Sequence, residues 1–106
     1  MLCRRRCCRN LQGRDITIEE LKNKMLQGAI LLDVRSNQEY RERHLQGAIN
    51  IPDFEILNRI QNEIPKRNQL IVLYCQYGGR SRNAMEIMKK IGYTNLYNLY
   101  GGLDIL

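Results

Sequence analysis

The chain has 106 residues, 43% of them hydrophobic and 26% charged, a balance that excludes a disordered polypeptide and fits one globular domain. Its formal charge of +6 invites a nucleic-acid reading, but Arg4, Arg5, Arg6 and Arg9 place much of that charge in the leading residues, and no nucleic-acid-binding motif follows. No apolar run nears the roughly 20 residues of a membrane span and no signal-peptide pattern is present, so a cytoplasmic monomer is expected, with no nucleic-acid partner and no membrane span.

Residues 1–13 read as a disordered, basic, Cys-rich extension. Cys3, Cys7 and Cys8 lie there without a neighbouring histidine, and their spacing matches no strong zinc pattern. A lipidated polybasic anchor is the alternative for this segment. The globular domain is expected over residues 14–106. Thr17-Ile18-Glu19-Glu20 is a capping-box pattern that starts a helix carrying Ile18, Leu21 and Met25 on one face, with Gly28 as its stop. Ile30 to Val34 is a continuous apolar run suited to a strand buried on both faces. Ser36-Asn37-Gln38-Glu39 repeats the capping-box pattern and starts a short polar helix through about Arg43. A short strand follows around Ile49, and Pro52 ends it.

Asp53 is placed to cap a helix bearing Phe54, Leu57, Ile60 and Ile64, which Pro65 terminates. Leu70 to Tyr74 is the next buried strand and delivers Cys75 to its carboxyl end. After a glycine-containing loop, Ala84, Ile87, Met88 and Ile91 follow helical spacing, with Lys89 and Lys90 in the last turn and Gly92 as stop. A last strand runs from Asn95 to Tyr100. Strands alternating with helices predict an α/β domain, a mostly parallel central sheet with helices on both faces. Ligands of such sheets bind beyond the carboxyl ends of the strands. Asp33 and Cys75 both lie at such ends.

The loop Cys75-Gln76-Tyr77-Gly78-Gly79-Arg80-Ser81 carries the strongest chemical signal. Its backbone N–H groups and the start of the next helix converge on the sulfur and favour its anionic form. Gly78 and Gly79 let the backbone curl into a nest, and Arg80 supplies a fork of donors suited to an oxyanion. The plain alternative is a small buried cysteine followed by an ordinary Gly-Gly turn. The joint occurrence of strand, cysteine, four intervening residues, Arg-Ser and helix favours a functional site.

Together with Leu31-Leu32-Asp33-Val34-Arg35, Glu39-Tyr40, the run His44 to Pro52 and the terminal Gly101-Gly102, this loop resembles the single-domain rhodaneses, from about Thr17 to the last residue. The resemblance implies a rhodanese-like fold and a thiosulfate or persulfide sulfurtransferase with Cys75 as the catalytic residue that carries sulfur as a persulfide. It implies a small anionic sulfur donor, a sulfur-acceptor protein as a possible partner, and no cofactor or metal. Gln76, Tyr77, Gly78, Gly79, Arg80 and Ser81 would bind substrate: the backbone holds the outer sulfur, Arg80 the sulfonate, and Ser81 caps the helix and donates its hydroxyl toward the sulfur. Asp33 and Arg35 are supporting residues, Asp33 by accepting loop N–H groups and Arg35 by pairing with Glu39, with a plain strand-end salt bridge as the alternative. His44 is expected to be structural. Two departures from the family pattern stand out: Arg43 replaces the usual glycine before the histidine, and Leu106 stands where an aromatic residue is common, which raises the possibility of a C-terminally shortened core.

Two rival functions draw on the same residues. Phosphatases of the cysteine type carry five residues between Cys and Arg, whereas Cys75 and Arg80 enclose four, and no aspartate lies in the loop to protonate a leaving alkoxide. That tighter cradle suits one sulfur atom better than phosphate or arsenate. A non-catalytic binding or sulfur-relay module is the other rival, and the presence of Cys75 with its Arg argues against it.

Overall fold

The structure, a computed structural model, describes residues 13–105. In chain order the elements are β1 (Asp15–Ile16), α1 (Ile18–Leu26), β2 (Ile30–Asp33), α2 (Asn37–Glu42), β3 (Ile49–Asn50), α3 (Ile56–Glu63), β4 (Ile71–Tyr74), α4 (Gly79–Lys90) and β5 (Leu96–Leu99). Single 3₁₀ turns occupy Asp53–Glu55 and Gly102–Ile105. The Cys-rich segment assigned to an extension falls outside the described residues, apart from Gly13.

The strands form one parallel sheet in the order β1-β5-β4-β2-β3. Strands β2 and β4 pair in the middle with Leu31 opposite Val72 and Leu32 opposite Leu73. Their apolar runs are buried on both faces, as the absence of alternation required. On one face Leu32, Ile71 and Leu73 pack with Ile56, Ile60 and Ile64 of the α3 segment and with Ala84, Met85 and Met88 of α4. On the other, Leu31, Val72 and Tyr74 pack with Leu21 of α1, and Tyr40 of α2 lies against the same cluster. Helices therefore cover both faces, and β4 aims its carboxyl end, with Cys75, out of the middle of the sheet.

Both capping boxes form. Thr17 Oγ1 accepts from Glu20 N and Glu20 returns to Thr17 N, while Ser36 and Glu39 do the same at α2. The helix expected to start at Asp53 is different. Its first turn is 3₁₀, no side chain caps it, and the α-helix begins only at Ile56. A 3₁₀ turn advances 120° per residue instead of 100°, which rephases the segment. Ile56, Ile60 and Ile64 then face the sheet, and Phe54 and Leu57, expected on the apolar face, are 74% and 58% exposed. Ile60→Ala is expected to cost about 2–5 kcal/mol in denaturant unfolding, and Phe54→Ala no more than about 0.5 kcal/mol.

Candidate active site

Cys75 directly follows β4 and is buried, 1% exposed. Its sulfur accepts from the backbone N–H of Gly78 at 3.0 Å and of Ser81 at 3.4 Å, and lies 3.5 Å from the Ser81 hydroxyl oxygen. This geometry depends on Gly78, whose φ of 112° is the left-handed conformation that turns the chain from strand exit into helix entry. Gly78 is the N-cap of α4 and carries no capping side chain. Ser81, expected to cap the helix, instead sits within its first turn, and its hydroxyl lies 3.0 Å from the Gly78 carbonyl oxygen.

A second constraint comes from the chain's far end. Leu103 N donates to the Cys75 carbonyl at 2.8 Å and Asp104 N to the Gln76 carbonyl at 2.9 Å. A trans peptide points its N–H opposite its C=O, so tying both oxygens to the 102–105 turn directs the amides of Gln76 and Tyr77 away from it. Only glycine permits so close an approach. A Cβ on Gly102 would stand 2.4 Å from the Cys75 carbonyl oxygen, and its φ of +64° disfavours a side chain besides. The glycine pair that ends β5 in the sequence is therefore part of the loop's scaffold.

Arginines ring the loop, each with a carboxylate. Arg35 and Asp33 form a buried pair, with the guanidinium on both carboxylate oxygens and the Arg35 backbone N–H on Oδ1 at 2.8 Å. Arg35 also donates to the Arg43 carbonyl and, at 3.5 Å, to Gln76 Oε1, which links this pair to the loop's first side chain. Two expectations are corrected here. Asp33 takes the donors of Arg35 rather than loop N–H groups, because the i+2 arginine folds back onto the strand end. Arg35 accordingly does not pair with Glu39. Glu39 instead receives both arms of Arg80, at 2.8 and 3.0 Å, while its Oε1 also closes the α2 capping box on Ser36 N. Hydrogen bonding from Arg80 pushes the Glu39 carboxyl down to about 2.

The remaining loop side chains differ in exposure. Tyr77 is 73% exposed at the tip, and Gln76 is half-buried. An open cavity of about 390 Å³ beside the loop is lined by Asp53, Gly79, Arg80, Arg82, Asn83 and Glu86. His44 bonds the Tyr40 carbonyl through Nδ1 at 2.7 Å and stacks on the Tyr40 ring, so it serves the end of α2. Arg43, where a glycine was usual, has φ −168°, extended backbone that any residue adopts. Leu106 lies outside the described residues.

Beneath the loop, Ser81 meets Asn98 and through it reaches Asp15, two residues that sequence reasoning missed. Asn98 of β5 contacts the Ser81 hydroxyl through Oδ1 and donates from Nδ2 to Asp15 of β1 at 2.9 Å, and Asp15 also takes Arg82 of α4. No motif flags Asn98 or Asp15, whose strands are 4 and 2 residues long.

A buried cysteine at the carboxyl end of a central parallel strand, inside an amide-lined loop that opens a helix, defines an α/β cysteine-loop domain. The chain belongs to the rhodanese-like domain family, whose model matches residues 17–104. It is 42% identical over 74 residues to the thiosulfate sulfurtransferase PspE of Escherichia coli, covering 70% of this chain and 71% of that protein. To the thiosulfate sulfurtransferase GlpE of Haemophilus influenzae it is 31% identical over 91 residues, covering 86% and 85%. The human single-domain sulfurtransferase TSTD1 superposes with a TM-score of 0.76 at 29% identity, covering 86% of this chain and 92% of that one.

Two measurements check the scaffold. Gly102→Ala is expected to cost on the order of 3 kcal/mol in unfolding through clash and backbone strain. Gly79→Ala, where an added Cβ meets nothing within 4 Å, is expected to stay within about 0.5 kcal/mol. In side-chain NMR, the Glu39 carboxyl titrates near 2, and Arg80→Ala returns it to the ordinary glutamate range. The folded value lies below the unfolded one, so the pair's contribution is complete above about 4.5. It is lost as the pH falls toward 2. Both partners are more than a third exposed, so that contribution is below about 1 kcal/mol.

Proposed function

We propose that this chain is a rhodanese-type sulfurtransferase that moves sulfane sulfur from thiosulfate or a persulfide donor to a thiophilic acceptor through Cys75. The observation that carries this reading is the Cys75 sulfur itself, buried and held by two backbone N–H groups at the start of a twelve-residue helix. Such an environment supports negative charge on sulfur by fixed dipoles rather than by a base.

In the loading step the Cys75 thiolate attacks the outer sulfur of thiosulfate. The donor S–S bond breaks, sulfite leaves with the bonding electron pair, and Cys75 becomes a persulfide with its charge on the outer sulfur. The loop amides beyond Gly78 are the donors for that charge, as an oxyanion hole serves its oxygen. In the unloading step an acceptor thiol or other thiophile attacks the outer sulfur and the Cys75 thiolate returns. Neither displacement needs a metal or an organic cofactor. Arg80 binds the donor's sulfonate by exchanging one arm from Glu39, and Gln76 and Tyr77 meet the rest of the donor or the acceptor protein. Asp33 and Arg35 hold the loop's entry through Gln76.

Among the described residues no helix is long and apolar enough to cross a membrane. A chemistry that requires a free thiol suits the reducing cytoplasm.

The expected outcome with thiosulfate is a gain of one sulfur atom by intact mass in the native chain and none in Cys75→Ser. Cyanide then removes that sulfur and yields thiocyanate. A native chain whose mass stays unchanged after full exposure to thiosulfate and to a persulfide donor would overturn the proposal.

A further inference from the structure

A buried polar chain runs from the active sulfur to the edge of the sheet. The side chains of Ser81 and Asn98 are fully buried, and that of Asp15 is 1% exposed. Asp15 offers its carboxylate, which only accepts, to Arg82 and to Asn98. The Asn98 amide must therefore turn its NH₂ toward Asp15, at 2.9 Å, which points its Oδ1 at Ser81. Oδ1 also only accepts. Ser81 has one hydroxyl proton, and its two oxygen neighbours, Asn98 Oδ1 and the Gly78 carbonyl at 3.0 Å, are both acceptors. The hydroxyl proton is thus committed away from the sulfur. At 3.5 Å, Cys75 Sγ faces a lone pair of Ser81 Oγ.

We propose that Asp15 and Asn98 are positioning residues that fix the polarity of Ser81, so that Ser81 acts on Cys75 as a hydrogen-bond acceptor and not as a donor. This reverses the role expected for Ser81 from the sequence. A thiol S–H can donate to that lone pair. A bare thiolate gains nothing from it and takes its hydrogen bonds from the Gly78 and Ser81 amides. In a persulfide the charge sits on the outer sulfur, further from Ser81. The network therefore favours S–H over bare sulfur in the unloaded enzyme and bears less on the persulfide, so breaking it raises the readiness of Cys75 to attack. The inference deepens the sulfurtransferase reading, yet the polarity of Ser81 is measurable without any sulfur transfer.

The test is the rate of Cys75 alkylation by iodoacetamide at fixed, near-neutral pH. It is measured in the native chain, Ser81→Ala, Asp15→Asn and the double variant, with the segment's cysteines (Cys3, Cys7 and Cys8) replaced by serine throughout. Ser81→Ala removes the lone pair and is expected to raise the rate about two- to tenfold, the span of one net hydrogen bond. Asp15→Asn supplies a donor at that position and lets the Asn98 amide reverse, which frees the Ser81 proton and also raises the rate. In the Ser81→Ala background Asp15→Asn is expected to have no further effect. A slower Ser81→Ala would show that Ser81 is a donor and would sink the proposal. An Asp15→Asn acceleration that survives in the double variant would be the Coulomb effect of a lost carboxylate, and would sink it equally. Should Asp15→Asn fail to fold, the Ser81→Ala rate decides alone. Absence of thiosulfate loading would overturn the sulfurtransferase reading and leave this result intact.

Discussion

The loop depends on two carbonyl oxygens being held outward. Each peptide unit has one donor and one acceptor on opposite sides, so the chain can line a cavity with N–H groups only if something outside takes the C=O groups. Here that partner is the turn after β5, whose Leu103 and Asp104 amides bind the oxygens of Cys75 and Gln76. The bond is possible because Gly102 has no side chain to keep the two backbones apart. A residue far from Cys75 in sequence thus decides which face of the loop its first peptides present.

Charge around the loop follows a similar economy. Arg35, Arg80 and Arg82 each lie on a carboxylate, respectively Asp33, Glu39 and Asp15. The site is consequently an array of dipoles with its formal charges balanced locally. Glu39 joins two jobs, completing the α2 cap and holding Arg80. The capping box therefore does more than start a helix. It gives the loop arginine a defined resting position.

Most of the architecture was legible in the chain because it rests on local rules. Buried parallel strands show as unbroken apolar runs, and both Thr17/Glu20 and Ser36/Glu39 wrote their helix starts into four residues each. The cysteine loop was legible because strand, glycine and helix occur consecutively. What escaped notice was non-local or too short for a period. β1 spans two residues and has no pattern of its own. The 3₁₀ turn at Asp53–Glu55 rotated an apolar stripe whose spacing alone favoured Phe54 and Leu57. Arg35 had two acidic candidates, and the sequence does not say that an i+2 arginine folds back on its own strand. Asn98 and Asp15 belong to no motif, and only their side-by-side pairing in the sheet reveals a shared task.

That pairing also sets where the working unit starts. Asp15 precedes the Thr17 cap, and with Ile16 it supplies the outermost strand through bonds from Asn98 N to Arg14 O and from Tyr100 N to Ile16 O. A fragment trimmed to the first helix would keep every residue of the cysteine loop. It would nonetheless bare the edge of β5 and leave the Asn98 amide no acid to orient it, so the minimal catalytic body reaches further upstream than its most recognisable motifs.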